Sequence, residues 1–132
     1  MKQSVSRMPV RHVVESEDEV KRLLARHLEK QGFQVKVCYG RAQGPDLVAW
    51  QESERLVVEV KGPGKYPQMR VNFFLAVLGE ILRRMSDPNA RYAIAFPDHP
   101  QYWRLWNSLS AWAKQCLRLT AFFVGEDVKE VN

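Results

Sequence analysis

The sequence has little of what metal cages, disulfide frameworks and membrane spans are built from. Its 132 residues include two cysteines and three histidines, and neither type occurs in the close pairs that are typical of zinc sites or small secreted domains. Cys38 and Cys116 therefore predict reduced thiols and a cytoplasmic protein. The longest apolar stretch, over residues 71–78, is interrupted by Asn72 and is far shorter than a membrane span. We expect no membrane partner, and the first 14 residues lack the apolar run of a signal peptide.

Positive charge is in excess. Lysine and arginine number 20 against 15 acidic residues, which gives a net charge of +5. A basic balance favours polyanionic partners such as nucleic acid, because phosphate contacts release condensed counterions. With 45% hydrophobic residues, a chain of this length can bury a sizeable core. We predict a single domain over residues 1–132, with residues 1–14 as an N-terminal arm.

Turn residues and apolar periodicity divide the chain into helices and strands. Ser16 is typical of an N-cap with Glu19 as its capping-box partner, and Gly32 is typical of a helix end. We predict a helix over 16–32, strands over 33–39, 46–50 and 55–61, a helix over 70–85 that is apolar nearly all round, a strand over 91–96, a helix over 101–115 and a strand over 117–124. This order, α-β-β-β-α-β-α-β, predicts an α/β (α+β) domain with one mixed central sheet flanked by helices.

Three charged residues lie at the ends of the second and third predicted strands. If these strands form a hairpin that turns at Glu52 and Ser53, Asp46 lies directly opposite Glu59. Facing carboxylates destabilise a strand pair, and a bound cation reverses that effect; hard oxygen ligands suit Mg²⁺ or Mn²⁺. Lys61 lies on the same face, about 6.6 Å further along the strand. Two carboxylates for a metal and a lysine for water or phosphate suit phosphodiester hydrolysis.

An ordinary surface ion pair is the alternative for Glu59 and Lys61. Such pairs are common on solvated edge strands and contribute little to stability. The apolar neighbours at 56–58 and 60 favour an interior strand instead, where an unpaired charge is costly. The alternative also leaves Asp46 unexplained.

The same residues carry a resemblance to a known family. Pro45-Asp46, followed by Glu59-Val60-Lys61, resembles the signature of the PD-(D/E)xK nucleases. The core order of that family, α-β-β-β-α-β, is the order predicted for residues 16–96. The segment GPDLVAW…VVEVKG…FFLAVLGEILRRM is most similar to the restriction-endonuclease-like, Mrr-type branch. The resemblance implies a restriction-endonuclease-like core, Mg²⁺ or Mn²⁺ on Asp46 and Glu59 with the Val60 carbonyl as a further ligand, and Lys61 assisting the attacking water.

Two further acidic residues are candidates for the same site. Many members of the family place an acid on the first helix near the metal, and Glu17 is the best placed here because it shares a side with Val20 and Leu24. The alternative for Glu17 is a first-turn charge favoured by the helix dipole. Glu80, in the otherwise apolar second helix, is a candidate to hydrogen-bond Lys61 or a metal-bound water, with a solvent-facing position as the alternative.

Candidate nucleic-acid contacts come from two loops that flank the same end of the predicted sheet. They are Arg41, Gln43, Lys65 and Arg70, with Asn72 at the start of the second helix. Such side chains bind phosphates and position a strand without reading its sequence. Solvated loop charge is the alternative for each of them, and helix capping is the alternative for Asn72.

The leading prediction is a metal-dependent nuclease that hydrolyses DNA phosphodiester bonds, with DNA preferred over RNA. Endonuclease and exonuclease action both stay open. Two alternatives on the same fold are a non-cleaving nucleic-acid-binding module and a protein-interaction subunit, the latter with an exposed aromatic face on the third helix. A homodimer is a plausible assembly, because the two strands of a duplex need two sites.

Overall fold

The computed structural model describes residues 13–40 and 43–132. Nearly all of the predicted N-terminal arm lies outside these ranges. The described residues form four helices and six strands: α1 (Glu17–Lys30), β1 (Gln34–Val37), β2 (Leu47–Gln51), β3 (Glu54–Val60), α2 (Pro67–Arg84), β4 (Arg91–Pro97), α3 (Pro100–Ser108), α4 (Ala111–Leu117), β5 (Leu119–Val124) and β6 (Val128–Val131). Across the described ranges, we find no helix with the length and apolar character that crossing a bilayer requires.

The strands of the described residues form one six-stranded sheet in the order β1-β2-β3-β4-β5-β6. β1, β2 and β3 are antiparallel neighbours, β3, β4 and β5 run parallel, and β6 returns antiparallel to β5. One hydrophobic core lies between the sheet and α1, and a second lies between the opposite face and helices α2 and α3. The predicted fold class, a mixed central sheet flanked by helices, is confirmed.

Local sequence fixes both ends of α1. The Ser16 side chain accepts a hydrogen bond from the Glu19 N–H at 3.1 Å, and the Glu19 carboxylate accepts one from the Glu15 N–H at 2.7 Å. Gly32, just past the end of the helix, has φ +98°, which glycine adopts at little steric cost. The helix therefore begins and ends where the capping residues predict, within two residues.

Two predicted elements differ from the structure. The predicted helix over 101–115 is two helices, because Leu109 is extended and the Ser110 side chain caps α4 by accepting a hydrogen bond from the Ala113 N–H at 3.0 Å. The predicted tail contains β6, which pairs along the backbone of β5. The four residues of β6, VKEV, do not alternate between apolar and polar, so they give no strand signal.

Strand β3 lies in the interior of the sheet, between β2 and β4. Residues 56–60 are all buried, with Val58 in the core beneath α1 and Val57 in the core beneath α2. The edge-strand alternative for Glu59 is therefore wrong, and the charges at the end of β3 need partners.

Helix α2 buries one stripe of its surface rather than nearly all of it. Phe74, Val77 and Ile81 are buried, whereas Leu75 is 61% exposed and Leu82 is 48% exposed. The prediction of a helix buried on most sides is wrong, because α2 covers the sheet with one face and has no second layer over its outer face among the described residues.

Candidate active site

The ends of β2 and β3 bring Asp46 and Glu59 together. The strands pair in the predicted register, with Leu47 opposite Val58, so Asp46 lies one residue beyond the ladder. Its N–H donates a hydrogen bond to Glu59 Oε2 at 3.3 Å, and the Val60 N–H donates one to Asp46 Oδ2 at 2.8 Å. The two carboxylates are thus locked to the same pair of strand ends.

Glu59 is a buried carboxylate with an arginine partner. Its residue is 4% exposed, and Arg84 Nε of α2 lies 3.2 Å from Oε2. Burial and, after it, the negative charge of Asp46 raise the pKa of Glu59, and the Asp46 N–H and Arg84 lower it; the net result is a pKa of about 7. A carboxylate in this environment holds a proton far more readily than one in water.

Lys61 points toward α2. Its Nζ lies 3.1 Å from Glu80 Oε2 and 5.7 Å from the ring centroid of Phe73. The structure therefore places the Glu80 carboxylate against Lys61, which is one of the two contacts predicted for Glu80. The carboxylate fixes the direction of the ammonium at the end of β3.

A lysine that is not among the predicted site residues lies on the other side of Asp46. Lys21 of α1 is 1% exposed, and its Nζ lies 3.4 Å from Asp46 Oδ1 and 3.3 Å from Glu17 Oε2. It also donates a hydrogen bond to the Cys38 carbonyl at 2.7 Å. Burial alone would lower the pKa of Lys21, but Asp46 and Glu17 outweigh burial and hold that pKa above its ordinary value.

Glu17 reaches the site through the close approach of α1 to the end of β3. A Cβ added to Gly62 would lie 2.8 Å from the Glu17 backbone nitrogen, so only glycine lets the two backbones approach this closely. Burial, and then the charge of Asp46, raise the pKa of Glu17 against the lowering effects of Lys21 and Lys61. Glu17 contacts Asp46 through Lys21 rather than directly.

The candidate nucleic-acid contacts differ in how far their side chains are free to bind a phosphate. Arg70 is engaged within the fold, because its guanidinium donates to Gln101 Oε1 and to the Pro63 carbonyl. Lys65 and Gln43 are exposed, and exposed Asn72 accepts a hydrogen bond from Gln68 at 3.2 Å. Arg41 lies outside the described residues. Lys65 and Gln43 therefore have the freest side chains of the described set.

Helical spacing is the signal in the sequence for Lys21 and Arg84, neither of which is among the predicted site residues. Lys21 follows Glu17 by four residues and lies on the stripe that continues to Leu24 and Leu28. Arg84 follows Glu80 by four residues on α2. Side chains at this spacing share a helix face, so both cations could have been assigned to the faces that cover the site.

The aromatic residues of the third predicted helix belong mainly to the core. Tyr102 and Trp106 are buried, and Trp103 stacks on Phe123 with ring centroids 3.7 Å apart. Trp112 of α4 is 76% exposed. An exposed aromatic face, which the protein-interaction alternative predicts for this helix, is thus reduced to Trp112.

The oxygen donors at the site are of the type that a hard divalent cation prefers. Asp46 and Glu59 offer carboxylate oxygens. The Val60 N–H donates a hydrogen bond to Asp46, and the Val60 carbonyl points to the same side of β3 as this N–H. Over 13–40 and 43–132, no three His, Cys, Asp or Glu side chains form a ready-made metal cage. The residues fit Mg²⁺ or Mn²⁺ by donor type, with Lys21 and Arg84 as the present partners of the carboxylates.

Comparison with known proteins shows the fold. No protein-family model matches the chain, and no curated protein matches it significantly. An XisH family protein from Nostoc punctiforme PCC 73102 is similar in structure, with a TM-score of 0.58 and 18% identity over 86% of this chain and 98% of that chain. An fdxN element excision controlling factor from Anabaena variabilis has a TM-score of 0.55 and 16% identity over 81% of this chain and 88% of its own. The chain thus shares its fold with these two proteins.

Proposed function

We propose that this protein is a metal-dependent nuclease that hydrolyses DNA phosphodiester bonds. The observation that carries the proposal lies at one end of β2 and β3, where the Glu59 carboxylate accepts a hydrogen bond from the Asp46 N–H and the Asp46 carboxylate accepts one from the Val60 N–H. Lys61 follows Val60 directly in the chain. The fold and the element order through β4 support it, because they are those expected for a PD-(D/E)xK core. The net charge of +5 favours a polyanionic substrate.

Asp46, Glu59 and the Val60 carbonyl would hold Mg²⁺ or Mn²⁺, with Glu17 as a further acid within reach. When bound, such an ion supplies Lewis-acid activation of water and offsets the charge that develops on the phosphate. Hydrolysis forms a bond from a water oxygen to phosphorus and breaks the bond from phosphorus to one deoxyribose oxygen. A proton leaves the water, and the departing oxygen takes one up.

Lys61 is the proposed catalytic lysine. Its ammonium is fixed by Glu80 at 3.1 Å and is only partly exposed, so it presents a pre-oriented positive charge at the end of β3. There it would contact a phosphate oxygen and hold the attacking water, which stabilises the transition state more than the ground state. Lys65 and Gln43 would bind the flanking phosphates.

Cleavage of supercoiled plasmid DNA with Mg²⁺ or Mn²⁺ tests this proposal. We expect the parent protein to cut, and Asp46→Asn and Lys61→Ala to cut at least about 100-fold more slowly, because each removes a charge used in the transition state. Lys36→Ala, which changes an exposed lysine on β1, is the matched control and should keep the parent rate. Equal rates in the parent and both site variants would contradict the catalytic assignment.

A non-cleaving role in DNA excision is the second candidate. The observation that favours it is the similarity to the Anabaena variabilis protein, which is described as an excision controlling factor. Asp46 and Glu59 also have protein cations as partners, an arrangement that holds without a metal. DNA binding in a gel-shift assay, with no cleavage at any Mg²⁺ or Mn²⁺ concentration and no loss of affinity in Asp46→Asn, would favour this candidate over the nuclease.

A further inference from the structure

Lys21 is the most deeply buried cation of the site. Lys21 is 1% exposed, although lysine is among the residues that are most rarely buried. Such a burial is tolerated only when the charge is compensated. The compensation comes from carboxylates of two different elements, Glu17 on α1 and Asp46 at the start of β2, with Asp18 Oδ1 further away at 3.9 Å.

The contacts of Lys21 form a closed set around Asp46. Lys21 Nζ donates to the Cys38 carbonyl at 2.7 Å, and the Cys38 N–H donates to the Asp46 carbonyl at 2.9 Å. Lys21 Nζ also lies 3.4 Å from Asp46 Oδ1, while Asp46 Oδ2 accepts from the Val60 N–H. The backbone and both carboxylate oxygens of Asp46 are therefore held without a bound metal ion.

We propose that Lys21 is an internal counter-cation, which holds Glu17 and Asp46 together in the absence of a divalent metal and weakens the binding of that metal. This inference rests on the proposed function, because it concerns the same metal site. Lys21 is thus a positioning residue for Asp46 and sets how tightly the site binds its ion.

The direction of the effect follows from charge. An ion bound to Asp46 would share this carboxylate with the ammonium of Lys21, and two positive charges a few ångströms apart in a partly buried site repel each other strongly. Removing the ammonium also frees Glu17 and Asp46 to act as ligands. A purely structural role for Lys21 predicts the opposite, since loss of a supporting contact lowers metal affinity.

Calorimetric titration of the metal-stripped full chain with Mn²⁺ tests the inference. Lys21→Met keeps the length and the apolar stem of the side chain and removes the charge. We expect it to bind Mn²⁺ at least tenfold more tightly than the parent. Lys30→Met, at an exposed lysine in the last turn of the same helix, is the control and should match the parent.

The outcomes separate this inference from the proposed function. Mn²⁺ binding by Lys21→Met that is equal to or weaker than in a binding-competent parent overturns the inference alone. If Lys21→Met binds Mn²⁺ and the parent does not, the inference is supported and the parent is not a metal-dependent enzyme. No binding by either protein overturns both.

Loss of folding in Lys21→Met would also be informative. If Lys21 is the counter-cation, a divalent ion can replace its charge, and added Mn²⁺ should restore the far-ultraviolet circular dichroism signal of the variant. Failure of Mn²⁺ to restore the fold of Lys21→Met and of the smaller polar variant Lys21→Gln would overturn the inference.

Discussion

Glu59 combines burial with the nearby negative charge of Asp46, and both raise its pKa to about 7. In the unfolded chain the carboxyl of Glu59 has its ordinary pKa, near 4.5. Because the folded protein binds this proton more tightly, the group's contribution to stability is complete below the unfolded pKa and is lost as pH rises through the folded pKa. In the absence of metal, ionised Glu59 therefore lowers the free energy of unfolding at neutral and basic pH.

Glu59→Gln should remove this pH dependence while keeping an oxygen acceptor for the Asp46 N–H. Between about pH 5 and about pH 8, the parent should lose on the order of 2 kcal/mol of unfolding free energy relative to the variant. Urea unfolding with EDTA at both pH values measures it, with exposed Glu126→Gln as the control. Parallel pH profiles for the parent and Glu59→Gln would show that Glu59 is not destabilised by its surroundings.

Tyr102 supports the site from α3. It is fully buried, and its hydroxyl donates a hydrogen bond to the Gly62 carbonyl at 2.7 Å. Tyr102→Phe should lower the free energy of unfolding by about 1–2 kcal/mol, because it leaves a buried carbonyl without its donor. Chemical denaturation checks this against Tyr66→Phe, which changes a tyrosine that is 53% exposed. A loss no greater than in the Tyr66 variant would mean that the hydrogen bond contributes nothing.

At the scale of elements, the site depends on how closely α1 approaches β3. Gly62 lies two residues past the end of β3, and its Cα faces the Glu17 backbone so closely that a side chain does not fit. The approach brings the first two turns of α1, with Glu17 and Lys21, to the end of β3, where Glu59 and Lys61 lie. A small shift of α1 would separate these two groups of charges.

Two glycine substitutions should therefore have opposite effects on the stability of the fold. Gly62→Ala forces the backbones apart and should destabilise the fold by about 1–3 kcal/mol, with weaker Mn²⁺ binding. Gly79→Ala lies inside α2, where an added Cβ meets nothing within 4 Å, and should stabilise the fold by about 0.5–1 kcal/mol. Thermal unfolding of both variants gives the comparison, and a stabilising Gly62→Ala would contradict the close approach.

The sequence predicts the features that local chemistry controls. The two-residue turn at Glu52 and Ser53 sets the register that brings Asp46 to Glu59, and Ser16 and Gly32 set the ends of α1. Lys21 and Arg84 were not predicted, because their contacts depend on how each helix crosses the sheet, and periodicity gives only a face. The pairing of β6 uses backbone groups, which leave no pattern of side chains in the sequence.

At the scale of the whole molecule, the site lies where the two layers of helices meet the same end of the sheet. α1 on one face supplies Lys21 and Glu17, and α2 on the other supplies Glu80 and Arg84. Both layers and the ends of β2 and β3 must be assembled before the carboxylates, the lysines and the arginine are neighbours. The site is thus a property of the folded chain rather than of the short motif that first indicated it.

A crystal structure of the protein soaked with Mn²⁺, with anomalous data, would show whether Asp46 and Glu59 bind a divalent metal. We expect an anomalous peak about 2.1 Å from carboxylate oxygens of both Asp46 and Glu59, close to the Val60 carbonyl, and no such peak in Asp46→Asn. A structure at saturating Mn²⁺ without density between these two carboxylates, or with the ion bound elsewhere, would contradict this expectation.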